Sequence, residues 1–138
     1  SSASFGFNNQ ANVWLPQPEH WAALTVAAQE KDPESTLNFY RRILGLRKSE
    51  LSMGEGPLKW LETGNPEVLA FQRGDTGPAV VSVINLGDDI IHLPSAFGDE
   101  VLATSSDAVA VLDTSDGQHV VIGAETAIWI RAKEQLTL

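Results

Sequence analysis

Between residues 58 and 132 the chain breaks into short apolar runs, each separated from the next by turn-forming residues. This restricts the fold more than any other feature. The runs are LKWLET (58–63), EVLAFQRG (67–74), PAVVSVINLG (78–87) and DIIHLP (89–94), then GDEVLAT (98–104), AVAVLDT (108–114), GQHVVIGA (117–124) and TAIWIRA (126–132). The signals TGNP, GDTGP, LGDD, PSAFGD and TSDG sit between them, rich in residues that favour turns. Short strands at this spacing predict an antiparallel β-sandwich or barrel. AVVSVIN is apolar nearly throughout, which places it centrally. DTSDG reads as the tip of a hairpin joining 108–113 to 118–122.

The first fifty residues have a different character. Residues 1–19 are Ser, Asn, Gln, Pro and aromatics and read as loop. WAALTVAAQEKD (21–32) reads as a short, imperfect helix. DPESTLNFYRRILGLRK (32–48) is the strong one. Asp32 suits an N-cap, Pro33 the first helical position, and Glu34 the positive end of the helix dipole. At about 100° per residue, Leu37, Phe39, Tyr40, Ile43, Leu44 and Leu46 share one half. Asn38, Arg41, Arg42, Gly45 and Lys48 take the other, and Arg47 falls in the middle of the apolar arc. A guanidinium there must snorkel or find an acceptor. The expectation is that Arg47 bonds carbonyls or a carboxylate where the helix meets the sandwich.

Composition narrows the function classes. The 138 residues suffice for one ordinary domain with its own core. Nine basic residues against 18 acidic ones give a net charge of −9. Such a chain repels phosphate backbones and anionic lipid, so neither nucleic acid nor membrane is expected as a partner. There is no cysteine, which excludes disulfides and thiolate metal sites and is compatible with a cytoplasmic setting. No apolar run approaches the ~20 residues that span a bilayer. No signal-peptide pattern and no Asn-x-Ser/Thr sequon occur.

The constellations that could carry chemistry read as structure. Asp32/Glu34 belong to a helix start, and Asp88/Asp89 and Asp99/Glu100 to solvated turns. His20, His92 and His119 are scattered without metal-ligand spacing, and His119 reads as a strand-face residue. Arg73-Gly74-Asp75 lies within QRGDTGP, whose composition is good hairpin chemistry. Ser35 and Thr36 belong to the helix start. The Gly54-Glu55-Gly56 stretch lacks the strand–loop–helix context of a phosphate loop. Trp60, Trp129 and Tyr40 have faces that suit sugar rings, but the core is the commoner place for such residues.

The aromatic surplus of the opening segment needs a partner. Phe5, Phe7, Trp14, Leu15 and Trp21 precede a helix whose apolar arc a sandwich of this size covers only in part. Burying one large aromatic contributes roughly 2–3 kcal/mol, so leaving several in water is costly. Two readings are open: these residues fold back on the sandwich as a private cap, or they pack on a larger body.

The same stretch resembles the end of the catalytic barrel in α-glucosidases of the α-amylase superfamily and, more narrowly, in the oligo-1,6-glucosidase and trehalose-synthase group. The matching elements are Gly6-Phe7 and Trp14-Leu15, then Thr25-Val26-Ala27-Ala28-Gln29. Asp32-Pro33-Glu34-Ser35-Thr36-Leu37 and Leu46-Arg47-Lys48 follow. Val13 departs from the family, which often has proline there. The final ETAIWIRA resembles the last strand of the family's C-terminal β-sandwich. The resemblance is specific over 5–48 and looser over 58–138.

That resemblance implies a mainly β fold. It is an antiparallel, Greek-key-like β-sandwich of about eight strands, preceded by a loop and one or two helices from the end of a (β/α)8 barrel. Residues 1–51 would be the last loop and helix of the barrel, and 52–138 the β-sandwich C-terminal domain. It further implies a retaining parent enzyme acting on α-glucosidic bonds of short oligosaccharides, with the parent's catalytic barrel and its oligosaccharide substrate as partners. A barrel needs about 250 residues and cannot lie within this chain. No residue here matches the family's catalytic motifs, so no catalytic, cofactor-binding or metal-binding residue and no cofactor is expected, and the fragment alone should be inactive. The alternatives are a carbohydrate-binding β-sandwich module and a self-associating module that uses the apolar opening segment.

Overall fold

A computed structural model of the chain describes residues 4–6, 14–75, 78–115 and 117–132. Phe7 and Val13 lie outside the described residues. The chain divides into two compact units, Ser1–Gly45 and Leu46–Leu138.

The first unit is helical and polar-stapled. A 3₁₀ segment, Glu19–Leu24, is followed by α1 (Val26–Gln29) and the start of α2 (Thr36–Ser49). The single helix expected over 21–32 is therefore broken in two. The break falls at Thr25, which is extended, and whose Oγ1 accepts from the Ala28 N–H at 3.2 Å. A threonine offering a cap favours a fresh helix start over continuation.

Helix α2 also begins later than expected. Asp32 does not cap it: its Oδ1 accepts from the Glu34 N–H at 3.0 Å and closes a local turn that holds Pro33. Ser35 is the cap, its Oγ accepting from the Asn38 N–H at 3.3 Å while donating to the Gln29 carbonyl at 2.7 Å. Gln29 supplies a second cap, since its Oε1 accepts from the Leu37 N–H at 3.0 Å. Two of the orphan donors at the helix start are thus satisfied by side chains. Asn38 completes the staple by donating to the carbonyls of Gln29 and Asp32 at 2.9 and 2.8 Å. Arg41 pairs with Glu30 at 2.9 Å, and Arg42 donates to the Pro33 carbonyl at 2.6 Å.

The second unit is the β-sandwich. Its strands are β1 (Leu58–Trp60), β2 (Val68–Arg73), β3 (Val80–Asn85), β4 (Ile91–His92), β5 (Glu100–Thr104), β6 (Val109–Thr114), β7 (Gly117–Ile122) and β8 (Ala127–Arg131). They form a five-stranded sheet in the order β1-β2-β3-β8-β5 and a three-stranded sheet in the order β4-β7-β6. Every pairing is antiparallel. The chain crosses between sheets after β3, β4, β5 and β7. All eight expected runs become strands, β3 is central, and β6 and β7 form the expected hairpin. A one-turn helix that the sequence reading did not include, α3 (Leu51–Gly54), leads into β1.

Strand periodicity places the core. In β8, Ile128 and Ile130 face inward while Trp129 and Arg131 face out. Ala70, Val81, Val83, Val120, Ile122, Leu93 and Phe97 join the two isoleucines in the shared core. Strand β3 is buried on both faces, which explains its continuous apolar run. Buried Asn85 organises the β3–β4 connection, donating to the Asp89 and Gly123 carbonyls and accepting from the Gly87 N–H. Gly98 has φ +108°, and a Cβ there would run into the Arg131 carbonyl.

Candidate functional site on the outer face of the five-stranded sheet

The outward positions of the larger sheet align in two cross-strand rows. One row runs Leu58, Arg73, Val80, Arg131 and Glu100. The next runs Trp60, Phe71, Ser82, Trp129 and Ala103. Successive residues of a strand point to opposite sides, so residues in register share this face.

The first row holds the segment between helix and sheet. Arg131 donates Nη1 and Nη2 to the two carboxylate oxygens of Glu50 at 2.9 and 2.8 Å. Its Nε donates to Glu100 Oε2 at 2.9 Å. The guanidinium thus presents one edge to a bidentate carboxylate and its remaining edge to a second. The side chains of Arg131 and Glu50 are only 29% and 14% exposed, whereas Glu100 is 60% exposed. The hydrogen bonds from Arg131 hold the Glu50 carboxyl below its ordinary range against the opposing effect of burial. The same bonds push the Arg131 guanidinium up, so it stays charged at any practical pH. Arg73, in the same row, donates Nη2 to the Gly54 and Met53 carbonyls at 3.2 and 3.4 Å. Cationic donors suit the carbonyl end of a helical turn. Val80, between the two arginines, is fully buried. Beside the Glu50–Arg131 pair lies a cleft of about 530 Å³ lined by Glu55, Gly74, Asp75 and Pro78 among others.

The second row is aromatic. Trp60 and Phe71 meet edge to face, their centroids 5.5 Å apart. Trp60 is 60% exposed because β1 is an edge strand of three residues, so the core placement expected for it does not hold. Trp129, on the interior strand β8, is half-buried. Tyr40 is exposed, in edge contact with Phe39, and is not a core residue either.

Arg47 corrects the sequence reading most sharply. It is exposed and makes no hydrogen bond or ion pair among the described residues. The contacts expected of it, carbonyls or a carboxylate where the helix meets the sandwich, are made by other arginines: Arg73 bonds carbonyls and Arg131 a carboxylate. A signal for them was present: VLAFQR and AIWIR each end in arginine at an outward strand position.

The remaining candidates are scattered. His20 packs edge-on against Trp21, His92 is exposed on β4, and His119 is half-buried on β7. Among the described residues, no group of three or more His, Asp or Glu is placed to hold a metal ion. Asp32, Glu34, Asp88 and Asp89 are exposed. Glu100 departs from the solvated-turn reading, since it opens β5 and binds Arg131. Gly74 has φ +89° and begins the β2–β3 connection, consistent with a hairpin. Gly56 packs its Cα side against Gly74, in a turn rather than a phosphate loop. Trp14 is 95% exposed, and Leu15 and Trp21 are exposed as well. No helix among the described residues is long and apolar enough to cross a membrane.

Comparison with known proteins gives this arrangement a context. No family model matches the chain. A probable α-glucosidase of Rhizobium meliloti is 34% identical over 84 residues, 61% of this chain and 15% of that protein. A glucan 1,6-α-glucosidase of Streptococcus dysgalactiae is 28% identical over 110 residues, 79% of this chain and 20% of that protein. A trehalose synthase/amylase of Mycobacterium tuberculosis is 34% identical over 92 residues, 62% of this chain and 15% of that protein. The chain thus spans about a sixth of the length of the curated relatives it matches. Among solved structures, the trehalulose synthase of Pseudomonas mesoacidophila MX-45 superposes with a TM-score of 0.67 at 21% identity, over 91% of this chain and 24% of that one. The α-amylase of H. orenii gives 0.62 at 24% identity, over 79% of this chain and 22% of that one. By sequence this chain is similar to a short part of α-glucosidases, oligo-1,6-glucosidases and trehalose synthases, and by fold to α-amylase family proteins, consistent with a C-terminal fragment of such a protein.

Proposed function

We propose that this chain is the C-terminal part of a longer, retaining glycoside hydrolase acting on α-glucosidic bonds of short oligosaccharides. Its own role is structural. Residues 1–51 form the last loop and helix of the catalytic barrel, and residues 52–138 form the β-sandwich domain that follows it in the chain. The observation that carries this reading is the 34% identity to a probable α-glucosidase over 84 residues. Retaining glycosidases place two carboxyls about 5–5.5 Å apart across the scissile bond. We assign those carboxyls to the barrel and none to this chain. The parent's barrel is the partner that covers the apolar side chains exposed on each unit, Trp14 and Leu15 on the first and Trp60 and Leu69 on the second. A cytoplasmic setting suits the cysteine-free composition.

The test compares two preparations on an aryl α-glucoside. The 138-residue chain should be inert, and the same chain extended by its upstream coding sequence should turn over substrate. Turnover by the short chain that persists through rigorous purification would overturn the structural role.

A second reading, a carbohydrate-binding module, is favoured by one observation: Trp60 is exposed and steadied by Phe71. It requires calorimetric binding of maltose or isomaltose that disappears in Trp60→Ala. Absence of heat at millimolar sugar would remove it.

A further inference from the structure

We propose that strand β6 is a pairing edge through which two copies of this chain join into one continuous sheet. Among the described residues, four strands sit at sheet edges: β1, β5, β4 and β6. An edge strand presents unpaired N–H and C=O groups, and proteins guard such edges with brevity, lysine, proline or a bulge. Three of the four edges are guarded in these ways. Strand β1 has three residues with Lys59 at its centre. Strand β4 has two residues, and Pro94 follows closely. Strand β5 opens on Glu100 and carries a register shift between Val101 and Ala103.

Strand β6 lacks brevity, lysine, proline and a bulge, and its one charged residue, Asp113, lies next to the turn. It is six residues long and keeps an unbroken register with β7 from Val109↔Ile122 to Thr114↔Gly117. It contains no lysine, arginine or proline. Residues Ala110–Thr114 are exposed, with Val111 and Leu112 each 43% accessible. Alternation against β7 turns Val109, Val111 and Asp113 toward the core side, because they pair with the inward Ile122 and Val120 and with Gln118.

This pattern is self-complementary. A two-fold axis perpendicular to the sheet keeps inward residues inward, so each residue meets only a partner of its own parity. Centring on Asp113 would set two carboxylates face to face and is disfavoured. Centring on Val111 sets it against its own copy, Ala110 against Leu112, and Val109 against Asp113. No like charges then meet, and the turn residue Thr114 stays outside the ladder. The net charge of −9 on each copy opposes association, so screening by salt should strengthen it.

The chain has no cysteine, which makes a single engineered one a clean probe. Directly opposed residues of an antiparallel pair have Cα atoms about 4.5–5.5 Å apart, within the span of a disulfide. Val111→Cys should therefore cross-link to itself under mild oxidation at least about tenfold faster than Lys59→Cys on the guarded edge. By sedimentation equilibrium, the unmodified chain should rise from 14.9 kDa toward twice that mass with concentration, and more so at high salt. Val111→Lys, which sets like charges opposite each other, should hold it monomeric. A chain that stays monomeric up to about 1 mM at every salt overturns the proposal. So do equal cross-linking rates at the two positions, or association that survives Val111→Lys in a folded variant.

Discussion

Arg131, at the end of the last strand, grips both carboxylate oxygens of Glu50, the residue that follows helix α2. The two lie 81 residues apart in sequence. Removing Arg131 leaves a carboxylate that is only 14% exposed without its partner. Arg131→Met should therefore lower stability by about 1–3 kcal/mol, measured by urea denaturation. Glu100→Gln removes only the exposed limb of the arrangement and should cost well under about 1 kcal/mol.

The same pair sets an acid sensitivity. The Glu50 carboxyl titrates lower when folded than its ordinary 4.5. Its contribution is fully present above that ordinary value and is lost as pH falls through the lower, folded one. Thermal melts between pH 6 and pH 3 should show wild type losing more stability than Glu50→Gln over that acid window. Parallel losses would mean that Glu50 is not the titrating group.

Helix α2 offers a discriminating comparison of caps. Ser35→Ala removes a hydroxyl bonded on both sides and should cost about 1 kcal/mol. Asp32→Ala opens only a local turn and should cost less. Gln29→Ala removes the acceptor for the Leu37 N–H and should resemble the serine variant. Thermal melts followed by far-ultraviolet circular dichroism rank the three.

Gly98 meets two demands at once, a positive φ of +108° and close approach to the Arg131 carbonyl. Gly98→Ala strains the backbone and pushes the end of β8 aside. A loss of more than about 2 kcal/mol is expected by chemical denaturation. A near-neutral alanine would show that the β5 entrance relaxes freely.

The strands were legible because their signal is local. VVSVIN is apolar on both faces and became the central strand; AIWIR alternates and became a half-covered one. The helical segment was less legible, because Thr25 and Ser35 compete locally with the expected helix and cap. The charged clasp was missed for a different reason. A helical wheel singled out Arg47, which is solvated, whereas Arg131 acquires its meaning only from a residue remote in sequence.

What sequence alone determined here is the set of strands, since side-chain periodicity and turn chemistry act over a few neighbouring residues. It also carried the resemblance to α-glucosidases, on stretches that include residues 25–29, 32–37 and 46–48, and Gln29, Ser35 and Leu37 of these stitch the start of α2. What only the tertiary structure decided is which strands lie at edges and which outward side chains meet. That depends on the pairing order, β1-β2-β3-β8-β5 and β4-β7-β6, and pairing is a long-range choice. Trp60 is exposed and β6 lies at an edge because of where their strands fall in that order, not because of the residues beside them.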